Sequence, residues 1–346
     1  MIARPDVALD VRQTSHTSAG MLAYVHVLRT FLPELAPDLR FAQFGHGDNF
    51  DFAEQVGMPL VLARLRPRLV HFPTPYVPRF VPAPHVVTVH DVIDLEFPQY
   101  AKPKVQPYWR HVVGPVLRSA RAVITDDDAT VELLQRYLRV DPARVRVIPL
   151  GVDAPAYPIA PERRARPYVL YAGNHRPHKD LGTLVSAWAS LPDGIQVDLV
   201  MTGEDEPGLR ALATGARGEL VFTGDCDGQR LDELFRGALA YVQPSQREGF
   251  GLPLLEALRA GTPAIAAETA APSVLKPFVH RYPARDAAAL RALLLRACEE
   301  AAASGPTESP ATMRADAERA RAATAHLTWE RTVRATADVY RELLSA

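Results

Sequence analysis

Residues 240–263 read AYVQPSQREGFGLPLLEALRAGTP. AYVQPS is a short apolar run ending in proline and serine, the pattern of a buried parallel strand. Gly249 and Gly251 follow it and let the backbone come close to a ligand. Pro253 suits the first helical position, where a missing N–H costs nothing. The amides of Phe250, Gly251 and Leu252 would then point outward, and with the helix dipole they make an anion site. Two carboxylates flank that site, Glu248 before the glycines and Glu256 on the first helical turn.

Carboxylates beside an anion pocket repel the anion unless they address neutral hydroxyls. A nucleotide sugar carries a diphosphate, ribose hydroxyls and sugar hydroxyls, so it answers all three features. The plainer reading makes Glu256 a dipole-favoured helix residue and Glu248 a solvated loop acid.

The same strand–loop–helix unit recurs outward in both directions. In the first half DVALDV (6–11), RLVHF (68–72), HVVTVHD (85–91), RAVIT (121–125) and VRVIPLGVD (145–153) read as strands among amphipathic runs. The loop RQTSHTSAG leads from the first of them into a helix over 21–32. APAYPIAPERRARP (154–167) has no period and reads as a linker. The alternation then restarts with YVLYAG (168–173), QVDLVMTG (196–203), ELVFTG (219–224), AYVQPS (240–245) and PAIAAE (263–268), before a helix-rich tail. Strand–helix alternation on both sides of a linker predicts two Rossmann-like, doubly wound parallel-sheet α/β domains, over residues 1–160 and 161–327. The helix over 328–346 would pack back on the first domain. Ligands in such sheets sit beyond the carboxyl ends of the strands, so two sheets facing each other would form a cleft.

Composition agrees with a globular enzyme or binding protein. The chain has 346 residues, more than one compact core usually holds, with 47% apolar and 23% charged residues. A formal net charge of −1 argues against a nucleic-acid partner and gives no support to peripheral membrane contact. Cys226 and Cys298 are too few for a disulfide scaffold or zinc cluster. The start MIARPDVALDVRQTS lacks the apolar core of a signal peptide, and no window reaches the ~20 apolar residues of a membrane span. These features predict a cytoplasmic location.

A second loop carries cations. After YVLYAG come Asn174-His175-Arg176-Pro177-His178-Lys179-Asp180, with Asp180 expected to cap the next helix. Lys179 is the only lysine between Lys104 and Lys276. GNHRPHKDL followed by EGFGLPLLEALRAGTPAIA closely resembles the retaining glycosyltransferases of the GT-B fold, glycosyltransferase family 4. The resemblance extends through VHDVI, RVRVIPLGVD, FTGDCDGQRLDELFRGA and the terminal Trp-containing helix.

That resemblance implies roles. Its E-x7-E motif falls on Glu248 and Glu256. Lys179 would neutralise the donor diphosphate, helped by Arg176. Glu256 would hold the ribose, and Glu248 would orient the donor sugar. The backbone of Phe250, Gly251 and Leu252 would cap sugar and phosphate oxygens. Asp225 and Cys226 would border the nucleobase, where many relatives carry an aromatic–aliphatic pair. Gly20 would meet the donor phosphate in a loop leaner in glycine than in many relatives. His90 would lie beside the acceptor and the anomeric carbon, with a pKa range suited to proton exchange; its plain alternative is a buried histidine bonded to Asp91.

The implied activity is retaining transfer of a hexose-like sugar, with GDP-mannose mildly preferred as donor, to a glycan, lipid-linked or small-molecule hydroxyl in polysaccharide biosynthesis. The leaving phosphate would help deprotonate the acceptor, and no metal or other cofactor would be needed. A nucleotide-sugar epimerase and a non-catalytic GT-B scaffold are the rival readings. Asp126-Asp127-Asp128 could suggest a metal clamp, but it precedes a helical run, where acids cap and favour the dipole. WRHVVGPVLRSARAV (109–123) is read as a solvated helix face rather than a binding stripe.

Overall fold

The computed structural model describes residues 4–14, 17–45, 48, 51–154, 158–304 and 311–345. Ser15 and His16 of the first loop and residues 155–157 of the expected linker lie outside them. The chain divides into two compact units, Met1–Gly151 with Leu327–Ala346, and Val152–His326. No helix among the described residues is long and apolar enough to cross a membrane.

The first unit contains β1 (Val7–Asp10), α1 (Ala19–Leu35), β2 (Phe41–Phe44), α2 (Met58–Leu65), β3 (Leu69–Phe72), β4 (His85–Thr88), α3 (Ile93–Glu96), α4 (Val105–Tyr108), α5 (Gly114–Ser119), β5 (Ala122–Thr125), α6 (Asp128–Leu138) and β6 (Val145–Val147). Its strands form one parallel sheet in the order β2-β1-β3-β4-β5-β6. β1, β3, β4 and β5 are buried throughout, so their apolar runs do not alternate. β2 is an edge strand with only Phe44 buried, and the sequence carries no strong signal for it.

The second unit contains β7 (Tyr168–Tyr171), α7 (Leu181–Ala189), β8 (Asp198–Met201), α8 (Pro207–Leu212), β9 (Leu220–Phe222), α9 (Gly228–Gly237), β10 (Ala240–Gln243), α10 (Leu252–Ala260), β11 (Ala264–Ala267), β12 (His280–Tyr282), α11 (Ala287–Ser304) and α12 (Ala311–Ala323). The order β12-β11-β10-β7-β8-β9 places the first strand of this unit beside its fourth. Successive connections leave β7 and β10 toward opposite edges of the sheet, which makes their carboxyl ends the topological switch point. β12 is a second edge strand that hydropathy does not announce.

The final helix, α13 (Trp329–Ser345), belongs to the first unit. It packs along α1 and buries Val333, Thr336, Ala337 and Tyr340. Where it begins, Gly151 lies against the Thr328 carbonyl group; a Cβ there would come within 2.0 Å of the Thr328 carbonyl carbon, so only glycine allows the approach.

Inside the unit, Tyr340 Oη lies 2.6 Å from His71 Nδ1, His71 Nε2 lies 2.8 Å from Thr88 Oγ1, and the Tyr24 hydroxyl closes the chain at 3.3 Å. Burial holds His71 neutral, its pKa pushed down to about 3. A buried polar group that loses its partner costs about 1–3 kcal/mol. Tyr340→Phe removes the partner of His71 Nδ1 while keeping the ring, so it should lower the unfolding midpoint by several degrees in a thermal melt. An unchanged midpoint would show that this chain does not fasten the terminal helix.

Candidate active site

At the switch point of the second unit, the loop after β7 meets the loop after β10. Arg176 starts a short 3-10 turn, Pro177–Lys179, whose proline fixes the backbone. The Gln246 amide donates to the His178 carbonyl at 2.8 Å and ties the two loops together. Lys179 Nζ donates to both Glu248 carboxylate oxygens, at 2.6 and 2.9 Å. Gln243 Nε2 and the Ser245 hydroxyl donate to Glu248 Oε1 as well. The Lys179 and Glu248 side chains are 13% and 10% exposed, so this is a largely dehydrated ion pair.

His178 is buried directly beside Lys179. Burial and the neighbouring positive charges of Lys179 and Arg176 push its pKa down to about 4, leaving it neutral. The Arg176 side chain is exposed. Asp180 occupies the N-cap position of α7, but in a left-handed conformation (φ 52°) and with no side-chain bond to the helix amides. The expected carboxylate cap is therefore absent. Its carboxyl group bonds Thr183 instead, and burial raises its pKa.

Gly251 caps α10 at φ 73°, a conformation that favours glycine. Leu252 is the first helical residue, so its N–H has no acceptor within the helix. Pro253 takes the second helical position rather than the first, and Glu256 falls one residue past the first turn. The Phe250 ring is buried, which fixes the loop from below.

Glu256 is only partly exposed and opens onto a cavity of about 720 Å³. Asp232 of α9 lines the same cavity, together with Leu231, Phe235 and Arg259. Burial, then the nearby Asp232 carboxylate, push the Glu256 pKa up to about 7. Asp232 itself is held by Arg236 at 2.9 Å. Tyr241 of β10 lies buried within the electrostatic reach of both Glu248 and Glu256; burial first, then Tyr171 and these carboxylates, raise its pKa well above the usual value.

Asp225 and Cys226 follow β9, the first exposed and the second half-buried. The Cys226 thiol lies 3.1 Å from the Thr223 hydroxyl, and Asp227 caps α9 through the Arg230 amide at 2.8 Å.

Gly20 and His90 stand in the first unit. Gly20 lies within the first turn of α1, behind the Ser18 cap. His90 follows β4, and its partner is not Asp91. The His90 Nδ1 lies 2.6 Å from Asp126 Oδ2, while Asp91 accepts from the Ile93 amide. Of the three consecutive aspartates, Asp127 is the N-cap of α6, accepting from the Ala129 amide at 3.1 Å. The aspartates are thus divided between a helix cap and a histidine. Among the described residues no group of three or more His, Cys, Asp or Glu is placed to hold a metal ion.

Sequence reasoning missed Gln243, Ser245 and Asp232, and it read Asp126 as a helix-capping acid rather than as the partner of His90. A signal existed for Gln243, a polar residue ending an otherwise buried apolar strand.

The geometry can be set beside known proteins. Residues 24–155 match the model of Glycosyltransferase Family 4, and residues 158–303 match that of the Glycosyl transferases group 1. Among curated proteins, the chain is 26% identical to the O-antigen chain mannosyltransferase B of Escherichia coli, over 60% of this chain and 59% of the relative. It is 30% identical to the D-inositol 3-phosphate glycosyltransferase of Acidothermus cellulolyticus, over 53% of this chain and 47% of the relative. The chain thus spans about half the length of the curated relatives it matches.

Among solved structures, a sucrose-phosphate synthase from Thermosynechococcus elongatus superposes with a TM-score of 0.74 at 21% identity, covering 99% of this chain and 100% of that one. An Anabaena protein, HepE, in complex with UDP and glucose, superposes with a TM-score of 0.68 at 16% identity, covering 98% and 100%. Two six-stranded parallel α/β units, the loops gathered at the switch point and these two adjoining family matches place the chain in the group 1 glycosyltransferases of family 4, with the GT-B fold.

Proposed function

We propose that this protein transfers a hexose-like sugar, with retention of anomeric configuration, from a nucleoside diphosphate sugar to an acceptor hydroxyl. The observation that carries the reading is the Lys179–Glu248 pair, flanked by the start of α10, at the switch point of the second unit. A lone surface lysine would be unremarkable. A lysine held in a dehydrated pair with Glu248, four residues before the start of α10, is a prepared counter-charge for a diphosphate.

In this reading the donor diphosphate takes a share of Lys179 from Glu248, and the Leu252 amide and helix dipole meet its oxygens. Charge grows on the diphosphate as the glycosidic bond breaks. Groups fixed in advance around that charge supply the largest share of catalysis. Glu248, held by Gln243 and Ser245, accepts hydroxyls of the sugar being transferred. Glu256 accepts the ribose hydroxyls. Arg176 assists at the diphosphate, Asp225 and Cys226 border the base, Gly20 contributes a backbone contact, and His90 serves the acceptor side.

Supporting relatives differ in donor: HepE was solved with UDP and with glucose, and the Escherichia coli relative is a mannosyltransferase. GDP-mannose remains our preference, with a glycan, lipid-linked or small-molecule acceptor. A thermal-shift screen of UDP, GDP, ADP and their sugars tests the donor, because selective binding raises the apparent stability. Equal shifts for every nucleotide would count against a built nucleotide site.

No divalent metal enters this scheme, since Lys179 and the helix terminus neutralise the leaving group. Turnover should therefore persist in excess EDTA. Loss of turnover that added magnesium or manganese restores would oblige a metal to be placed in the site.

A further inference from the structure

The dyad His90–Asp126 is the least expected polar arrangement in the first unit. β4 and β5 are neighbours in the sheet, with Thr88 paired to Ile124, so the segments leaving their carboxyl ends run side by side. That adjacency brings His90 Nδ1 to 2.6 Å from Asp126 Oδ2. Both side chains are buried, at 8% and 1% exposure. The Tyr24 ring of α1 stands edge-on to the imidazole, with centroids 4.8 Å apart at 87°, and restricts its tilt.

The remaining polar atoms have nothing comparable. His90 Nε2 and Asp126 Oδ1 are both buried without a hydrogen bond of ordinary geometry, although the Pro73 carbonyl acts on the imidazole as a backbone acceptor and favours its protonated form. Buried polar atoms left so are few in native proteins, and a catalytic role is one of the recognised reasons for them. Helix capping does not explain Asp126, because Asp127 caps α6. Nor is Asp126 the first acid that sequence proximity offers, since Asp91 adjoins His90 and is occupied with the Ile93 amide.

We propose that Asp126 is a positioning residue for His90: it takes the Nδ1 hydrogen bond and so leaves Nε2 as the one ring nitrogen for a hydroxyl of the bound substrate. The proposal rests on the assignment of His90 to the active site made above. An aspartate in this place does two things. It fixes the ring orientation and tautomer, and it favours a protonated imidazole when a proton has to be held. The charged and titratable groups around His90 are Asp91 on its own loop, Asp126 and Asp127 from the β5–α6 connection, His71 from β3, and Tyr24 from α1. Burial is the largest single influence and works against a charged His90, but Asp126, joined by Asp91 and the Pro73 carbonyl, raises the imidazole pKa above its usual value.

The experiment has two arms. In the first, the side-chain nitrogens of ¹⁵N-histidine protein are followed by NMR against pH, with His90 assigned through His90→Gln. The wild-type protein should show a slowly exchanging Nδ1 proton and titrate above the ordinary histidine range. Asp126→Asn should lose that proton signal and titrate lower. In the second arm, kcat and KM are measured across pH for wild type, Asp126→Asn and Asp126→Glu, on protein whose thermal melt confirms folding. Asp126→Asn should lower kcat by about tenfold or more and move the pH profile, with nucleoside diphosphate affinity unchanged; Asp126→Glu should restore part of the rate.

A His90 that titrates identically in wild type and Asp126→Asn would overturn the positioning role. So would an altered His90 titration with an unmoved pH–rate profile. If the dyad behaves as expected by NMR while His90→Gln leaves turnover intact, the assignment of His90 to the site fails and the dyad is structural. Should Asp126→Asn not fold, the wild-type NMR titration and the Asp126→Glu profile still decide.

Discussion

Lys179→Ala should slow sugar transfer at saturating donor by about 10²–10³-fold, the usual consequence of removing a preorganised charge from a developing anion. The substitution acts twice, because Lys179 is also the counterion of Glu248. Taking one partner from a buried pair leaves the other uncompensated and costs about 3–5 kcal/mol. Here Gln243 and Ser245 still donate to Glu248, which argues for the lower end. Rate and stability are therefore expected to fall together, and the single variant cannot separate them. Lys179→Met combined with Glu248→Gln removes both charges, and set beside Glu248→Gln alone it isolates the part due to Lys179. That double variant should melt close to wild type and still be inactive. Recovery of transfer in it, or a normal rate in Lys179→Ala, would remove Lys179 from the leaving-group site.

Glu256→Gln should do the opposite to stability. The Glu256 pKa is pushed up to about 7, first by burial and then by Asp232. In the unfolded chain the carboxyl group titrates near the ordinary glutamate value of about 4.3. Between those two values the folded state holds a proton that the unfolded state has released, so stability falls as pH rises through the window. Below it, at acid pH, the neutral group makes no such demand. Above about 7 the folded protein carries the full cost of a buried charge, at most about 4 kcal/mol.

Glutamine is neutral at every pH. The variant should match wild type near pH 4.5 and become progressively more stable than it toward pH 8, read as a widening gap between melting curves. Donor binding should fall at the same time by about 10–100-fold, the worth of hydrogen bonds from hydroxyls to a charged acceptor. Greater stability with weaker binding identifies a residue kept for function. A variant no more stable at pH 8 than at pH 5 would contradict the burial-driven cost.

Much of this was readable before any coordinates. Four-residue strands such as HVVT and DLVM are buried throughout, so their largely apolar composition and bounding loops announce them. Edge strands β2 and β12 escaped because FAQF and HRY are only partly buried and carry no β-branched residue, whereas the likewise part-buried edge β6 keeps its two valines. The loops bearing Lys179 and Glu248 were legible through glycine, proline and charge. Their direct pairing was not, because it depends on β7 lying beside β10, a matter of strand order that spacing along the chain does not encode. Asp126 failed to stand out for the same reason. Three consecutive aspartates before a helix look alike in sequence, and only the register of β4 against β5 gives the first of them to His90. The helix-cap reading of Asp180 was reasonable chemistry overridden by a left-handed backbone.

The two carboxylates eight residues apart provide the final test, through calorimetric titration of sugar-free nucleoside diphosphate into wild type, Glu256→Gln and Glu248→Gln, with transfer rates measured on the same preparations. If Glu256 holds ribose, its loss weakens an interaction made in both the bound and the transition state, so nucleotide affinity falls while the maximal rate changes less. If Glu248 holds the sugar, which the free nucleotide lacks, its loss leaves the nucleotide contacts in place and frees Lys179 from their ion pair. Glu248→Gln should therefore bind nucleoside diphosphate as tightly as wild type or more tightly, with a sharply reduced maximal rate. An equal loss of nucleotide affinity in both variants, or none in either, would contradict the division of the pair between ribose and sugar.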